Sequence, residues 1–133
     1  MMNVDTEKKK NFRVEQSREK LKISSLMLEK ELYNDSIVYS YLSMFYAVRI
    51  LLIDDGQDSD DHNKILELVE EYYSPNGWTE LDIVDILHNA RTFKEMLEND
   101  DGIRVSRTQA EHFNRNAETI LNEVLKSKAS YLL

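Results

Sequence analysis

The sequence contains no cysteine, one proline and three glycines among its 133 residues. The absence of cysteine excludes disulfide bonds, thiolate metal sites and cysteine nucleophiles. Glycine and proline supply the backbone conformations that most tight turns require, so this small supply disfavours a sandwich or barrel of many short strands. The sequence therefore predicts long helices joined by few connections.

Long apolar runs are missing as well. No uninterrupted apolar run reaches the ~18 residues that a membrane span needs, and no signal-peptide pattern opens the chain. Because 41% of the residues are apolar, the chain can bury a core. We therefore expect one cytoplasmic globular domain over residues 1–133, without a membrane partner, in which residues 1–10 form a flexible N-terminal extension.

Charge of one sign is concentrated in the middle of the chain. The net charge is −8, but residues 1–30 carry +3, residues 31–101 carry −13 and residues 102–133 carry +2. Proteins that bind nucleic acid usually show a basic surface, so the whole molecule should repel RNA or DNA at long range. A local basic surface requires that the two ends of the chain meet in the fold. The acidic middle is otherwise explained as a surface that keeps a small domain soluble.

Hydrophobic residues recur at helical spacing in five segments. The second segment is apolar nearly all round, which is typical of a central buried helix, and Asn34 or Asp35 is its expected N-cap. Thr79 is the expected cap of the fourth helix, and Ser106 with Gln109 forms a capping box for the fifth. These segments predict an all-α, antiparallel up-and-down helical bundle. The first four expected helices cover residues 11–32, 36–53, 61–72 and 80–98.

An acidic loop and three histidines are candidates for a metal site. The loop after the second helix is rich in the oxygen ligands that Ca²⁺ and Mg²⁺ prefer, but it lacks the glycine and glutamate positions of an EF-hand. No two histidines have the i, i+4 spacing of a helical zinc site. We therefore expect a solvated loop that caps the third helix, and neither a metal nor a cofactor. The residues concerned are Asp54, Asp55, Asp58, Asp60, Asp61, His62, His88 and His112.

Aromatic side chains are dense in the second and third helices. At helical spacing they are usually core residues, although an excess of tyrosine also suits a self-association surface. The residues concerned are Tyr39, Tyr41, Phe45, Tyr46, Tyr72 and Tyr73.

Arg107 and His112 form the sharpest candidate pair for catalysis. The arginine could hold a phosphate while the histidine acts as general acid or base on a ribose hydroxyl. Residues five apart on a straight helix point about 140° apart, so the two could act together only at an edge or across a dimer cleft. The alternative is an exposed ladder of ion pairs formed by Arg107, Glu111 and Arg115.

The ordered set of motifs resembles the HEPN domain family over about residues 13–125. The segment SYLSMFYAVRILL, residues 40–52, is similar to the central helix of that family, in which an aromatic pair, Met-Phe, a small residue and Arg recur in order. His62 followed by NKILELVEEYY is similar to its third helix, which begins with histidine. Its last helix is capped by serine and has alanine at two fixed places. The matching residues are Tyr41, Met44, Phe45, Ala47, Arg49, Ser106, Ala110 and Ala117.

The chain departs from the family pattern at the end of the fourth helix. On this alignment the family's Arg falls on Lys94 and its Asp-Tyr on Glu98 and Asn99, so the bidentate guanidinium and the tyrosine hydroxyl are lost. Nuclease members of the wider superfamily carry Arg, four to six residues and then His in the equivalent region. No histidine follows Arg91 or Lys94 at that distance.

The resemblance implies a helical domain that commonly forms a homodimer and is often encoded beside a minimal nucleotidyltransferase. We therefore expect a non-catalytic dimeric module, associated with a nucleotide or RNA, that acts with a nucleotidyltransferase-type partner in a toxin–antitoxin-like pair. The alternative is a metal-independent HEPN ribonuclease toxin. Its candidate residues are Arg107 and His112, or else Lys94, Glu98 and Asn99.

Overall fold

The computed structural model describes residues 4–53, 56–73, 82–100 and 102–131. Those residues form five helices and no strand, so the predicted all-α helical bundle is confirmed. The helices are α1 (Val4–Glu29), α2 (Tyr33–Ile53), α3 (His62–Tyr73), α4 (Ile83–Asn99) and α5 (Arg107–Tyr131).

Helix α2 is the central element, as predicted, because each of the other four helices packs against it. Hydrogen bonds join Ser17 to Ser43 and Ser24 to Ser36, so α1 runs antiparallel to α2. Arg107 lies over the ring of Tyr33, so α5 starts beside the start of α2. Helix α1 also contacts α5, and the two basic blocks of the chain therefore meet in the fold.

Five buried serines, which we call the serine seam, line the contact between α1 and α2. The Ser24 hydroxyl donates to the carbonyl oxygen of Ser36 at 2.9 Å, and the Ser36 hydroxyl donates to the carbonyl oxygen of Ser24 at 2.9 Å. Ser17 and Ser43 exchange the same two bonds at 2.8 and 2.9 Å. Small side chains let the two backbones approach closely, and each buried hydroxyl finds an acceptor. The seam consists of Ser17, Ser24, Ser36, Ser40 and Ser43.

The N-terminal ends of α1 and α2 differ from the sequence-based boundaries. Helix α1 begins at Val4 and not at residue 11, so residues 4–10 are helical, and Lys10 is buried. Asn34 lies inside the first turn of α2 and is not its N-cap. Its side chain is used at long range, since it donates to the carbonyl oxygen of Ile103 at 2.7 Å and accepts from the amide of Val105 at 3.1 Å.

The N-caps predicted for α4 and α5 can be compared with those in the structure. Helix α4 begins at Ile83, and its N-cap is Asp82, whose carboxylate accepts from the amide of Asp85 at 3.1 Å. Thr79 lies outside the described residues. The capping box of α5 is confirmed, because Ser106 accepts from the amide of Gln109 at 3.1 Å and Gln109 accepts from the amide of Ser106 at 3.0 Å.

Helix α2 also bears on the membrane question. By length and composition alone Tyr33–Ile53 could cross a membrane, which the count of uninterrupted apolar runs did not reveal. In the fold, 72% of its apolar window is buried inside the protein. The apolar surface of α2 is therefore covered by the other helices, as in the core helix of a bundle.

The serine seam predicts that Ser24→Val destabilises the protein. Valine adds bulk to the packed contact between α1 and α2, and it removes the hydroxyl that bonds to the Ser40 hydroxyl and to the carbonyl oxygen of Ser36. We expect the free energy of unfolding to fall by about 2–3 kcal/mol. Urea denaturation measures this change. The matched control is Glu19→Val on the exposed side of α1, which should cost less than about 1 kcal/mol. Equal losses in the two variants would contradict the role of the seam.

Candidate functional site

The ring of His62, the first residue of α3, is held on the surface of α2. It stacks on the ring of Phe45 with centroids 3.9 Å apart and an angle of 6° between the planes. Its Nδ1 lies 2.7 Å from the hydroxyl of Tyr41. The start of α3 is fixed by Asp61, whose carboxylate accepts from the amide of Asn63 at 2.9 Å. These contacts set both the position and the plane of the imidazole.

Three basic side chains surround this ring, although residues 31–101 contain only four lysines and arginines. The guanidinium carbon of Arg49 lies 5.4 Å from the centroid of Phe45. The Lys94 Nζ lies 5.7 Å from the centroid of Tyr41. Arg91 donates to the Oδ1 of Asn63, the residue next to His62, at 2.5 Å. We call this set the His62 cluster, and it consists of Tyr41, Phe45, Arg49, His62, Arg91 and Lys94.

Each cation of the His62 cluster also contacts a carboxylate. Arg91 Nε lies 3.0 Å from Glu95, and Lys94 Nζ lies 3.4 Å from Glu98. The side chain of Arg49 is only 4% exposed, and its Nε donates to Asp58 at 2.6 Å. Burial acts to lower the pKa of Arg49, but the hydrogen bonds and charges of Asp58 and Asp60 outweigh it and raise that pKa.

The environment favours the neutral form of His62 and the protonated form of Tyr41. Burial lowers the pKa of His62 below 6.5, and the positive charges of Lys94, Arg91 and Arg49 lower it further. Burial also raises the pKa of the Tyr41 hydroxyl above its usual value. A neutral imidazole has one donor and one acceptor nitrogen. Because Nδ1 is hydrogen-bonded to the Tyr41 hydroxyl, Nε2 is the ring nitrogen left to interact with other groups.

The acidic loop binds a cation of the protein itself. The loop caps α3, as the sequence predicts, through Asp61, while Asp58 and Asp60 bind the buried Arg49. Asp54 and Asp55 lie outside the described residues. Across the described parts of the chain, no three histidine or acidic side chains are grouped as metal ligands would be. The sequence analysis missed the contact with Arg49, although the family motif drew attention to that residue.

Arg107 and His112 have separate partners. Arg107 lies 3.6 Å from Glu31 and 3.8 Å from Glu111, and its guanidinium lies over the ring of Tyr33. The Nε2 of His112 lies 3.2 Å from the side-chain nitrogen of Asn116. Both residues are exposed, and among the described contacts none joins one to the other. The first step of the predicted ion-pair ladder, Arg107 to Glu111, is present.

Among the other candidate residues for catalysis, Lys94, Glu98 and Asn99, the last has a separate partner. Lys94 and Glu98 form the expected i, i+4 ion pair. Asn99 donates to the backbone carbonyl oxygen of Glu95 at 2.9 Å and so acts within its own helix. Lys94 alone belongs to the His62 cluster. Its partner histidine precedes it by 32 residues, so motif spacing could not reveal the contact.

The aromatic residues of α2 are mainly core residues. Tyr41 and Phe45 are buried, which confirms the packing interpretation for them. Tyr39 and Tyr46 are half-buried, with Lys20 and Arg13 respectively near their rings. The side chains of residues 72 and 73 lie outside the described part of the structure.

A family model described as the HEPN domain matches residues 11–128, which is most of the chain. The chain belongs to the HEPN domain family. The resemblance drawn from the sequence is therefore confirmed. The family places no reaction on this chain by itself, so function depends on the residues that the HEPN fold brings together here.

Two relatives agree with the HEPN assignment. A protein of Methanocaldococcus jannaschii, named "Putative toxin MJ0142", is 20% identical over 113 residues, which cover 85% of this chain and 77% of the relative. A protein of Pyrococcus horikoshii, named "UPF0332 protein PH1297", is 29% identical over 91 residues, which cover 68% of this chain and 63% of the relative. The match with the second relative therefore spans less than two thirds of its length.

The lowered pKa of His62 predicts a loss of stability in acid. The unfolded chain takes up a proton at this histidine at higher pH than the native protein does, so protonation favours unfolding. The loss begins as the pH falls through 6.5 and grows toward the lower native pKa. In urea denaturation at pH 7.5, 6.5 and 5.5, wild type should lose stability relative to His62→Gln. His112→Gln is the matched control, and a constant difference between wild type and His62→Gln would contradict this account.

Proposed function

We propose that this HEPN-domain protein is a non-catalytic dimeric module that associates with a nucleotide or RNA. It acts with a nucleotidyltransferase-type partner in a cytoplasmic, toxin–antitoxin-like pair. The His62 cluster is the observation that supports a nucleotide or RNA as the ligand. Three of the four basic residues of a block with net charge −13 converge on one neutral histidine. Arginine and lysine are the usual protein ligands of phosphate, the group that nucleotides and RNA share.

The separation of Arg107 from His112 supports a binding role over a catalytic one. Cleavage of RNA by attack of the 2′-hydroxyl on the neighbouring phosphate needs a proton acceptor, a proton donor and a cation held together. Arg107 and His112 are exposed and bind different neighbours. Lys94 and Asn99 are likewise engaged within α4.

Membership of the HEPN family supports both the nucleotidyltransferase-type partner and the homodimer. Prokaryotic HEPN domains are often encoded beside minimal nucleotidyltransferases and commonly form homodimers. The relative from Methanocaldococcus jannaschii bears the name "Putative toxin MJ0142". Helices α1 and α5, which lie in the two blocks of positive net charge, contact each other, whereas the middle of the chain is acidic. Such an uneven charge distribution favours oriented association with a partner.

The dimer predicts a solution mass of about 31 kDa, twice the 15.7 kDa of one chain. Light scattering coupled to size-exclusion chromatography, at micromolar concentration, measures it. A mass near 16 kDa over the whole concentration range would count against the dimeric module.

A metal-independent ribonuclease toxin is the second candidate function. It is favoured by the relative named as a toxin and by the neutral His62 beside Lys94 and Arg91. In that case His62 would exchange the proton, and the neighbouring cations would face the developing charge on phosphate. The chemistry requires no metal.

Incubation of the purified protein with RNA in EDTA separates the two functions. We expect the RNA to remain intact, because Arg107 and His112 bind different neighbours and the cations near His62 are paired with carboxylates. Cleavage that disappears in either His62→Ala or His112→Ala would establish the ribonuclease, and the sensitive variant would locate the site. Thr119→Ala, a substitution at an exposed position of α5, is the control for contaminating nuclease in the preparation.

A further inference from the structure

Arg49 is held by two aspartates that play unequal parts. Asp58 accepts from Nε at 2.6 Å and from Nη2 at 3.2 Å, so it engages the guanidinium with both carboxylate oxygens. Asp60 accepts from Nη2 alone, at 3.0 Å. The side chain of Asp58 is 23% exposed and that of Asp60 is 96% exposed. The two carboxylates are therefore an inner and an outer ligand of one buried arginine.

Asp58 has a structural role that Asp60 lacks. Its Oδ2 also lies 3.4 Å from the Nη2 of Arg13, so Asp58 joins α1, α2 and the acidic loop. In the described part of the structure, the Asp60 carboxylate accepts a hydrogen bond from Arg49, and the rest of this side chain is in water. An ion pair with one partner so exposed contributes little stability, because water solvates the carboxylate nearly as well. Asp60 can therefore leave Arg49 without disturbing the fold.

The place that Asp60 occupies adjoins the rest of the His62 cluster. Arg49 and His62 both lie against the ring of Phe45, one by a cation–π contact and the other by stacking. His62 follows Asp60 by two residues, and Lys94 and Arg91 act electrostatically on its ring. An oxyanion that replaced the Asp60 carboxylate would accept from Nη2 of Arg49, next to the ring on which Lys94 and Arg91 act.

We propose that Arg49 is an anion-binding residue, and that Asp60 is a built-in competitor which a phosphate group of the ligand displaces. Asp58 remains bound and keeps Arg49 oriented during the exchange. This inference rests on the proposed association with a nucleotide or RNA, and it adds the residue that takes the phosphate and the carboxylate that opposes it.

The competition predicts that Asp60→Asn strengthens binding of phosphate ligands. Two probes distinguish the ligand source: ATP, and a ten-residue single-stranded oligouridine. Binding is measured by isothermal titration calorimetry at pH 7.5 and about 150 mM salt, where the Debye length of about 8 Å screens distant charges. We expect a roughly three- to tenfold lower Kd for one of the probes, because the variant removes one weak ion pair and one repelling charge.

Two controls isolate the carboxylate at this place. Asp60→Glu keeps the charge and should bind like wild type. Glu118→Gln makes the same change in net charge at an exposed position of α5 and should also bind like wild type.

Two further measurements test the role of each residue directly. The Nε–Hε resonance of Arg49, identified from the spectrum of Arg49→Lys, should shift on addition of the probe that binds. Asp60→Asn should unfold at the wild-type temperature, since the role of Asp60 is not structural.

The outcomes separate this inference from the function on which it rests. If wild type binds a probe and Asp60→Asn binds it no more tightly, Asp60 is not a competitor, while the proposed association stands. An equal gain in Glu118→Gln would reduce the effect to net charge and overturn the inference. If neither wild type nor Asp60→Asn binds ATP or the oligouridine, both the inference and the proposed association fail.

Discussion

The burial of α2 is the constraint on which the rest of the structure depends. A polar group removed from water is costly unless it finds a partner inside the protein. The buried serines of α2 meet this requirement through α1, which draws the two helices into close contact. Tyr41 meets it through His62, and Arg49 meets it through the acidic loop. One requirement on one helix therefore fixes the packing of α1, the start of α3 and the course of the loop.

The same constraint explains why net charge is a poor guide to this protein. The chain is acidic overall, and its middle block is strongly so. Arg49, Arg91 and Lys94 nevertheless all act electrostatically on the ring of His62, because α2 and α4 place them near the start of α3. Charges in contact interact far more strongly than distant, screened charges, so an anion that displaces a carboxylate from one of these cations is held locally. A local phosphate site is therefore compatible with long-range repulsion of nucleic acid.

The sequence predicted most of the fold because the fold depends on local signals. The apolar character of α2 and the capping box at Ser106 act within a few residues, and both are found as expected. Asn34 shows where this reasoning fails. Its residue type favours an N-cap, but its side chain bonds backbone groups 69 and 71 residues away. Helix propensity contains no information on such partners.

The candidate site was harder to predict for the same reason. Arg107 and His112 attract attention because they are close in sequence, yet a helix turns them apart. Tyr41 and His62 are 21 residues apart in sequence, and they meet because the acidic loop returns along α2 before α3 begins. The resemblance to HEPN domains marked Tyr41, Arg49 and His62 separately, but it did not place them together.

The pairing of every cation in the His62 cluster with a carboxylate decides what this site can do. A cation that must stabilise charge in a transition state has to be oriented toward the reacting group before the reaction begins. Here Arg49, Arg91 and Lys94 are oriented toward Asp58, Glu95 and Glu98. A ligand gains a cation only as it displaces a carboxylate, so part of its binding free energy offsets the bonds that are lost. Such an arrangement favours selective and reversible binding of an anion over catalysis.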